Sequence, residues 1–164
     1  RQMLIDTDIL SRFFRGDEFV IKRVAHYASI HQTLHIGIIS QYEILSGLYH
    51  KDAQQLKRFL AFLPTITVLD LNEAAIEHAA QCYAQTRKLG TPVDDIDLLI
   101  AGIALANDMG VVTHNTTHFS KIPNLYLEDW ALANGHWLGV FTVVTKVGHR
   151  VIAWGQSVWG GDGE

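Results

Sequence analysis

Short apolar runs bounded by turn residues alternate along this chain with stretches whose apolar residues recur at helical spacing. No other feature constrains the fold as much. Met3-Leu4-Ile5 reads as a buried strand ended by Asp6-Thr7-Asp8, after which Ile9, Leu10, Phe13 and Phe14 recur at helical spacing up to Gly16. A second helix runs from Asp17 to about His31 and a second strand from Leu34 to Ile39, with Ser40 as the N-cap of the helix that follows. A further helix spans about Asp52 to Leu63 and stops at Pro64, and Thr65 to Leu69 reads as a third strand. Asn72 caps a long helix to Lys88 closed by Gly90, and Asp94 or Asp95 opens another that ends at Gly110. Val111-Val112-Thr113 and Leu125-Tyr126-Leu127 supply two more strands. Elements alternating at these lengths predict an α/β domain with a mainly parallel sheet of four to five strands, covered by helices on both faces.

Apolar residues are 48% of the 164 and charged residues 18%, enough for a core and too apolar for a disordered chain. The longest apolar runs break off before the roughly 18 residues a membrane helix needs. No basic-then-apolar leader opens the chain, so the expectation is a soluble, cytoplasmic protein with no membrane partner. Cys82 is the only cysteine, which excludes an internal disulfide and a thiolate zinc site. Its Ala-rich helical surroundings make it a packed core thiol.

After about Leu132 the character changes. Residues 132–164 hold Trp137, Trp154 and Trp159 and seven of the thirteen glycines. Phe141 to Val147 and Val151 to Trp154 are strand-like, with Gly148-His149 suited to a tight turn between them. The expected organisation is therefore one domain over residues 3–131 and a β-hairpin-like appendage over 132–164, of unassigned role.

Four polar positions fall where an open parallel sheet builds its sites, beyond the carboxyl ends of the strands. Asp6 follows the first strand, and Glu43 is expected in the first turn of the helix after the second. Asp97 lies in the first turn of the helix before the fourth strand, and Asn115 follows that strand. Carboxylates gathered there suit Mg²⁺ or Mn²⁺, which prefer oxygen ligands and act on phosphate esters without a nucleophilic side chain. Each acid has a plainer reading. Asp8 is expected to cap the Ile9 helix, and Asp94, Asp95 and Asp97 suit a helix start in any case. His114 and His118 are four apart, a spacing that would suit a transition metal if the segment were helical. A net charge of −4 does not announce a nucleic-acid binder, but a metal-binding acid cluster lowers net charge by itself.

In this order the segments resemble the PIN-domain nucleases, and most closely the VapC-like toxins of bacterial toxin–antitoxin pairs. Met3 to Leu10 is similar to that family's first strand, Ser40 to Leu48 to its glutamate-bearing helix, and Asp94 to Ala101 to the segment supplying a third acid. Val112 to Phe119, with Ile122-Pro123 and Leu125 to Trp130, resembles its closing signature. The resemblance implies a three-layer PIN-like α/β/α fold and a metal-dependent endoribonuclease. It implies Asp6, Glu43 and Asp97 as ligands of Mg²⁺ or Mn²⁺, and Asn115 at a fourth site position. Thr7 and Thr113 match hydroxyl positions beside the site, and Asp95 is an auxiliary acid. An RNA substrate, an antitoxin protein and a homodimer are implied as partners. Asp8 departs from the family, where asparagine is commoner. Two other readings remain at this point. One is a PIN-like module that binds RNA or protein without cutting, and the other is a haloacid-dehalogenase-type phosphatase with Asp6 as nucleophile.

Overall fold

A computed structural model describes residues 1–132 in full, together with the backbone of 143–147 and 150–154. The chain alternates as expected: β1 (Met3–Ile5), α1 (Thr7–Phe14), α2 (Glu18–His31), β2 (His35–Gly37), α3 (Ile38–Lys51) and α4 (Ala53–Phe62). After a 3-10 turn at Leu63–Thr65 come β3 (Thr67–Leu69), α5 (Glu73–Lys88), α6 (Asp95–Ala106), β4 (Gly110–Val112), α7 (Thr116–Phe119) and β5 (Leu127–Glu128). Five strands form one sheet in the order β3-β2-β1-β4-β5, and every pairing is parallel.

Strands of a parallel sheet are buried on both faces, which is why they read as unbroken apolar runs. Side-chain alternation divides them between two cores. Met3, Ile5, Ile36 and Val112 face one side, where Leu10 and Phe13 of α1, Val20, Val24 and Tyr27 of α2, and Phe59 and Phe62 of α4 pack with Trp130. Leu4 and Val111 face the other, against Ala75 and Cys82 of α5 and Leu98, Ala101 and Ile103 of α6. The expected three layers are present, and Cys82 is a buried free thiol.

Several boundaries differ from the sequence reading. α1 begins at Thr7 with Asp6 as its N-cap, so Asp8 is inside the first turn and is not the cap. α3 begins at Ile38 after Gly37, so Ser40 is a buried helix residue instead of an N-cap, and Glu43 falls in the second turn. The β-branched Ile38-Ile39 pair looks like strand locally, and its packing on the second core overrides that preference. α6 ends at Ala106, with Asp108 at φ 53 turning the chain into β4, and Gly110 belongs to the strand. α7, only four residues long, is too short to leave a periodic signal.

No helix among the described residues is long and apolar enough to cross a membrane. β6 (Val143–Val147) and β7 (Arg150–Trp154) pair antiparallel, with Val147 opposite Arg150. Gly148, His149, Trp137 and Trp159 lie outside the described residues.

Candidate active site

β1 and β4 are adjacent although residues 6–109 lie between them in the chain, and the strand order reverses between them. The backbone N–H of Asp6 continues the ladder by donating to Val112 O at 2.9 Å, and Thr113 N–H donates to Glu128 O at 2.9 Å. Asp6 and Thr113 therefore leave the sheet side by side at its carboxyl edge, the usual crevice of an open parallel sheet. A helix that leads into a parallel strand runs antiparallel to it. The first turn of α6, with Asp97, is accordingly at the same edge.

Hydrogen bonds join the expected residues into one continuous chain. Glu43 Oε1 accepts from the Thr7 hydroxyl at 2.6 Å, and Thr7 N–H donates to Asp6 Oδ1 at 2.7 Å. Asp6 Oδ2 accepts from the Thr113 hydroxyl at 2.8 Å, and Thr113 Oγ1 accepts from Asn115 N–H at 3.0 Å. The Asn115 amide meets His118 Nδ1 at 2.9 Å, and the same Nδ1 lies 3.3 Å from Asp97 Oδ2. Glu43, Thr7, Asp6, Thr113, Asn115 and Asp97 are thus brought together. Thr7 and Thr113 act as the links rather than as bystanders.

The electrostatics are unfavourable for the acids as they stand. Asp6 is 6% exposed, and burial, with Asp8 and Asp97 nearby, pushes its carboxyl up to about 7 despite the two hydroxyl and amide donors. Asp97 is also held above the usual carboxylate range, by burial first and then by Asp94 and Glu43, against the opposing pull of His118. Burial likewise raises Asp8, whose Oδ2 accepts from His114 N–H at 3.0 Å while its Oδ1 is buried with no partner. Acids raised by desolvation and mutual repulsion are what a bound cation would neutralise.

Among the described residues, no group of three or more His, Cys, Asp or Glu side chains is arranged so as to hold a metal ion. Mg²⁺ keeps several waters and uses few carboxylates, so it does not require a complete protein cage. Asp6, Asp97 and Glu43 are an all-oxygen donor set, the ligand chemistry such an ion prefers. The N-termini of α1 and α6 also point their positive ends at this edge.

One expected member falls elsewhere. Asp95 is exposed and lines an apolar groove between α5 and α6 with Ile76, Ala79, Tyr83, Leu98 and Leu99, away from the chain of bonds just described. Asp94 caps α6 by accepting from Ile96 N–H at 3.2 Å. His114 and His118 diverge: His114 Nδ1 meets Asp129 Oδ2 at 2.9 Å, whereas His118 turns to Asp97, so the pair forms no shared metal site. His118, read from the sequence only as a partner of His114, is the residue whose place beside Asp97 the sequence reading did not give. Its only local signal is a spacing of three from Asn115, informative once α7 is known to be helical.

The chain matches the PIN domain family over residues 3–125. It is 35% identical over 98 residues to the tRNA(fMet)-specific endonuclease VapC of Shigella flexneri, covering 57% of this chain and 74% of that one. Among solved structures it resembles DNA-bound VapBC from Salmonella typhimurium, at 28% identity and a TM-score of 0.66, over 79% of this chain and 98% of that one. The fold also matches VapBC2 of Rickettsia felis, solved with a promoter DNA fragment, at 23% identity and a TM-score of 0.72, over 79% and 99% of the two chains.

Proposed function

The chain belongs to the PIN-domain family, and from that premise we propose that it is a metal-dependent endoribonuclease, the toxin of a toxin–antitoxin pair. One observation carries this reading. The three acids and Asn115 stand on a single run of hydrogen bonds at the carboxyl edge of the sheet, with Asp6 buried and its carboxyl pushed up to about 7. Asp6, Asp97 and Glu43 would hold Mg²⁺ or Mn²⁺. When bound, the ion supplies positive charge that offsets the acids and stabilises charge developing on the phosphate oxygens during hydrolysis. The protein's own part is to orient Asp6 through Thr7 and Thr113, to hold Glu43 through Thr7, and to keep water from Asp6. The curated VapC relatives named as endonucleases support an RNA substrate. The aspartyl-phosphate reading of Asp6 finds no support among them.

Residues 3–131 form the nuclease unit in this reading, and 132–164 an appendage. Solved VapBC neighbours support an antitoxin partner. Of the aromatic residues on α1 to α4, Phe13, Phe59 and Phe62 are buried core, whereas Phe19, Tyr42 and Tyr49 are exposed. The exposed set, on α2 and α3, is the part available to an antitoxin segment or a second copy of the chain. The place of action is the cytoplasm, where such a nuclease meets RNA.

The test is incubation of purified protein with total tRNA, with Mg²⁺, with Mn²⁺ or with a chelator, followed by sequencing of the new RNA ends. Discrete cuts that vanish on chelation and in Asp97→Asn are expected. Cleavage unaffected by chelation, or no cleavage of any RNA by the folded, antitoxin-free protein, would overturn the proposal.

A further inference from the structure

Asp97 and Asp6 are held differently. Asp6 receives one donor on each oxygen, the backbone N–H of Thr7 at the start of α1 and the hydroxyl of Thr113 just after β4. Asp97 is in the first turn of α6, and His118 Nδ1, at 3.3 Å from Oδ2, is the one hydrogen-bond partner of its carboxylate among the described residues. Rotation of an aspartate carboxylate about its last bond is soft and nearly two-fold, so an unheld Asp97 would sample several orientations.

The imidazole itself is well placed to hold it. His118 is on α7, which begins immediately after Asn115, and the Asn115 backbone is bonded to the buried Thr113 hydroxyl. The Asn115 amide meets the same Nδ1 at 2.9 Å. One nitrogen cannot donate to Asp97 and also accept from an amide N–H. With the proton on Nδ1 and the Asn115 amide assigned with its oxygen toward the ring, the single N–H is shared between that oxygen and Asp97 Oδ2. The rest of the ring is open, since the His118 side chain is 53% exposed.

We propose that His118 is a positioning residue: its Nδ1–H grips Asp97 Oδ2 and fixes the direction in which that carboxylate offers its other oxygen to a divalent cation. The proposal rests on the acid-site reading above. A carboxylate held in this way meets the cation without first losing orientational freedom, and removing such an outer partner typically weakens metal binding about 10–100-fold. His118 touches neither RNA nor the reacting phosphate in this role. Its loss should therefore appear as a metal requirement and not as a lost chemical step.

The experiment uses the full chain and three substitutions. Asparagine places an amide where Nδ1 stands, glutamine places one where Nε2 stands, and alanine places none. Mn²⁺ affinity is measured without RNA, by calorimetry or paramagnetic relaxation of water, and cleavage is then titrated with metal. His118→Ala should weaken Mn²⁺ binding about 10–100-fold, with most activity returning at saturating metal. His118→Asn should stay close to the unsubstituted protein, and His118→Gln should behave like the alanine variant. Unchanged Mn²⁺ affinity in His118→Ala would overturn the proposal. So would rescue by glutamine and not asparagine, which would assign the function to Nε2. Asp97→Asn separates the two levels: if it binds Mn²⁺ like the unsubstituted protein, the acid-site reading itself fails.

Discussion

Thr113 Oγ1 donates to Asp6 Oδ2 at 2.8 Å, a bond that ties the ends of two adjacent strands across 107 positions of sequence. Both residues are buried, so a missing partner cannot be replaced by bulk water. Thr113→Val keeps the shape and deletes the donor, leaving a carboxylate oxygen bare and also removing the acceptor for Asn115 N–H. The expected loss is about 1.5–3 kcal/mol in urea unfolding, with cleavage reduced at limiting metal. Thr113→Ser restores the hydroxyl and should recover most of both. Equal stability of the valine and serine variants would show that the bond carries no weight.

Asp6 makes the metal-free protein sensitive to pH in a definite sense. Its carboxyl is raised from an ordinary value of 3.8 to about 7 on folding. Below the ordinary value it is neutral in both states, and there is no penalty. As pH rises toward 7, the unfolded chain gives up a proton that the folded one keeps, so stability falls and then levels off above 7. Three pKa units correspond to at most about 4 kcal/mol. Asp6→Asn should therefore be the more stable protein at pH 8 in chelator, by about 2–4 kcal/mol, with the difference shrinking toward pH 4. Chemical denaturation of both proteins across that range checks it. A constant difference would mean that burial does not set this group's pKa.

How much of this was legible beforehand follows the range of the interactions concerned. Met3-Leu4-Ile5 and Val111-Val112 announce buried strands because burial on both faces demands apolar runs, and Asn72 announces a helix because a cap is a local bond to Ala75 N–H. Asp6, Glu43, Asp97 and Asn115 could be singled out from their positions beside such elements. The bonds that join them could not, because Thr7 to Glu43 and Thr113 to Asp6 span 36 and 107 positions. Asp95 and Asp97 are equivalent in sequence, and only the phase of α6 against α5 sends one to a groove and the other to the acids. His118 could be singled out only beside His114, and its pairing with Asp97 was not legible because a four-residue helix has no periodicity to read.

The seam between α5 and α6 is set by Gly102. A methyl group there would lie 2.3 Å from the carbonyl oxygen of Ala75 and 2.9 Å from Ala79 Cβ, so the helices would have to separate. α6 carries Asp97, and displacement of the helix moves the site as well. Gly102→Ala should cost about 1–3 kcal/mol and lower cleavage. Gly47, inside α3 with nothing within 4 Å of the corresponding position, is the control. There the same change should stabilise by about 0.5–1 kcal/mol. Thermal melts of the two variants moving in the same direction would contradict the packing argument.

Trp130 is the last buried core residue in the sequence among the described residues. It is 3% exposed, its ring lies 5.4 Å from that of Tyr27, and its Nε1 donates to Glu128 Oε2 at 2.8 Å. The Tyr27 hydroxyl in turn accepts from Met3 N–H at 2.9 Å, so Trp130 is linked through Tyr27 to the first strand. Asp129 is occupied on both oxygens, by His114 and by Ala131 N–H at 2.9 Å. Beyond this point β6 and β7 pair with each other and add no strand to the five-stranded sheet. A two-stranded hairpin contributes little stability alone. A chain ending at Leu132 should therefore keep cooperative unfolding and metal-dependent cleavage. Trp130→Ala in the full chain should cost about 3–5 kcal/mol, because it empties a closed seam and leaves Tyr27 facing a void. A truncated protein that melts normally yet no longer cuts would place part of the site after Leu132 and move the proposed boundary.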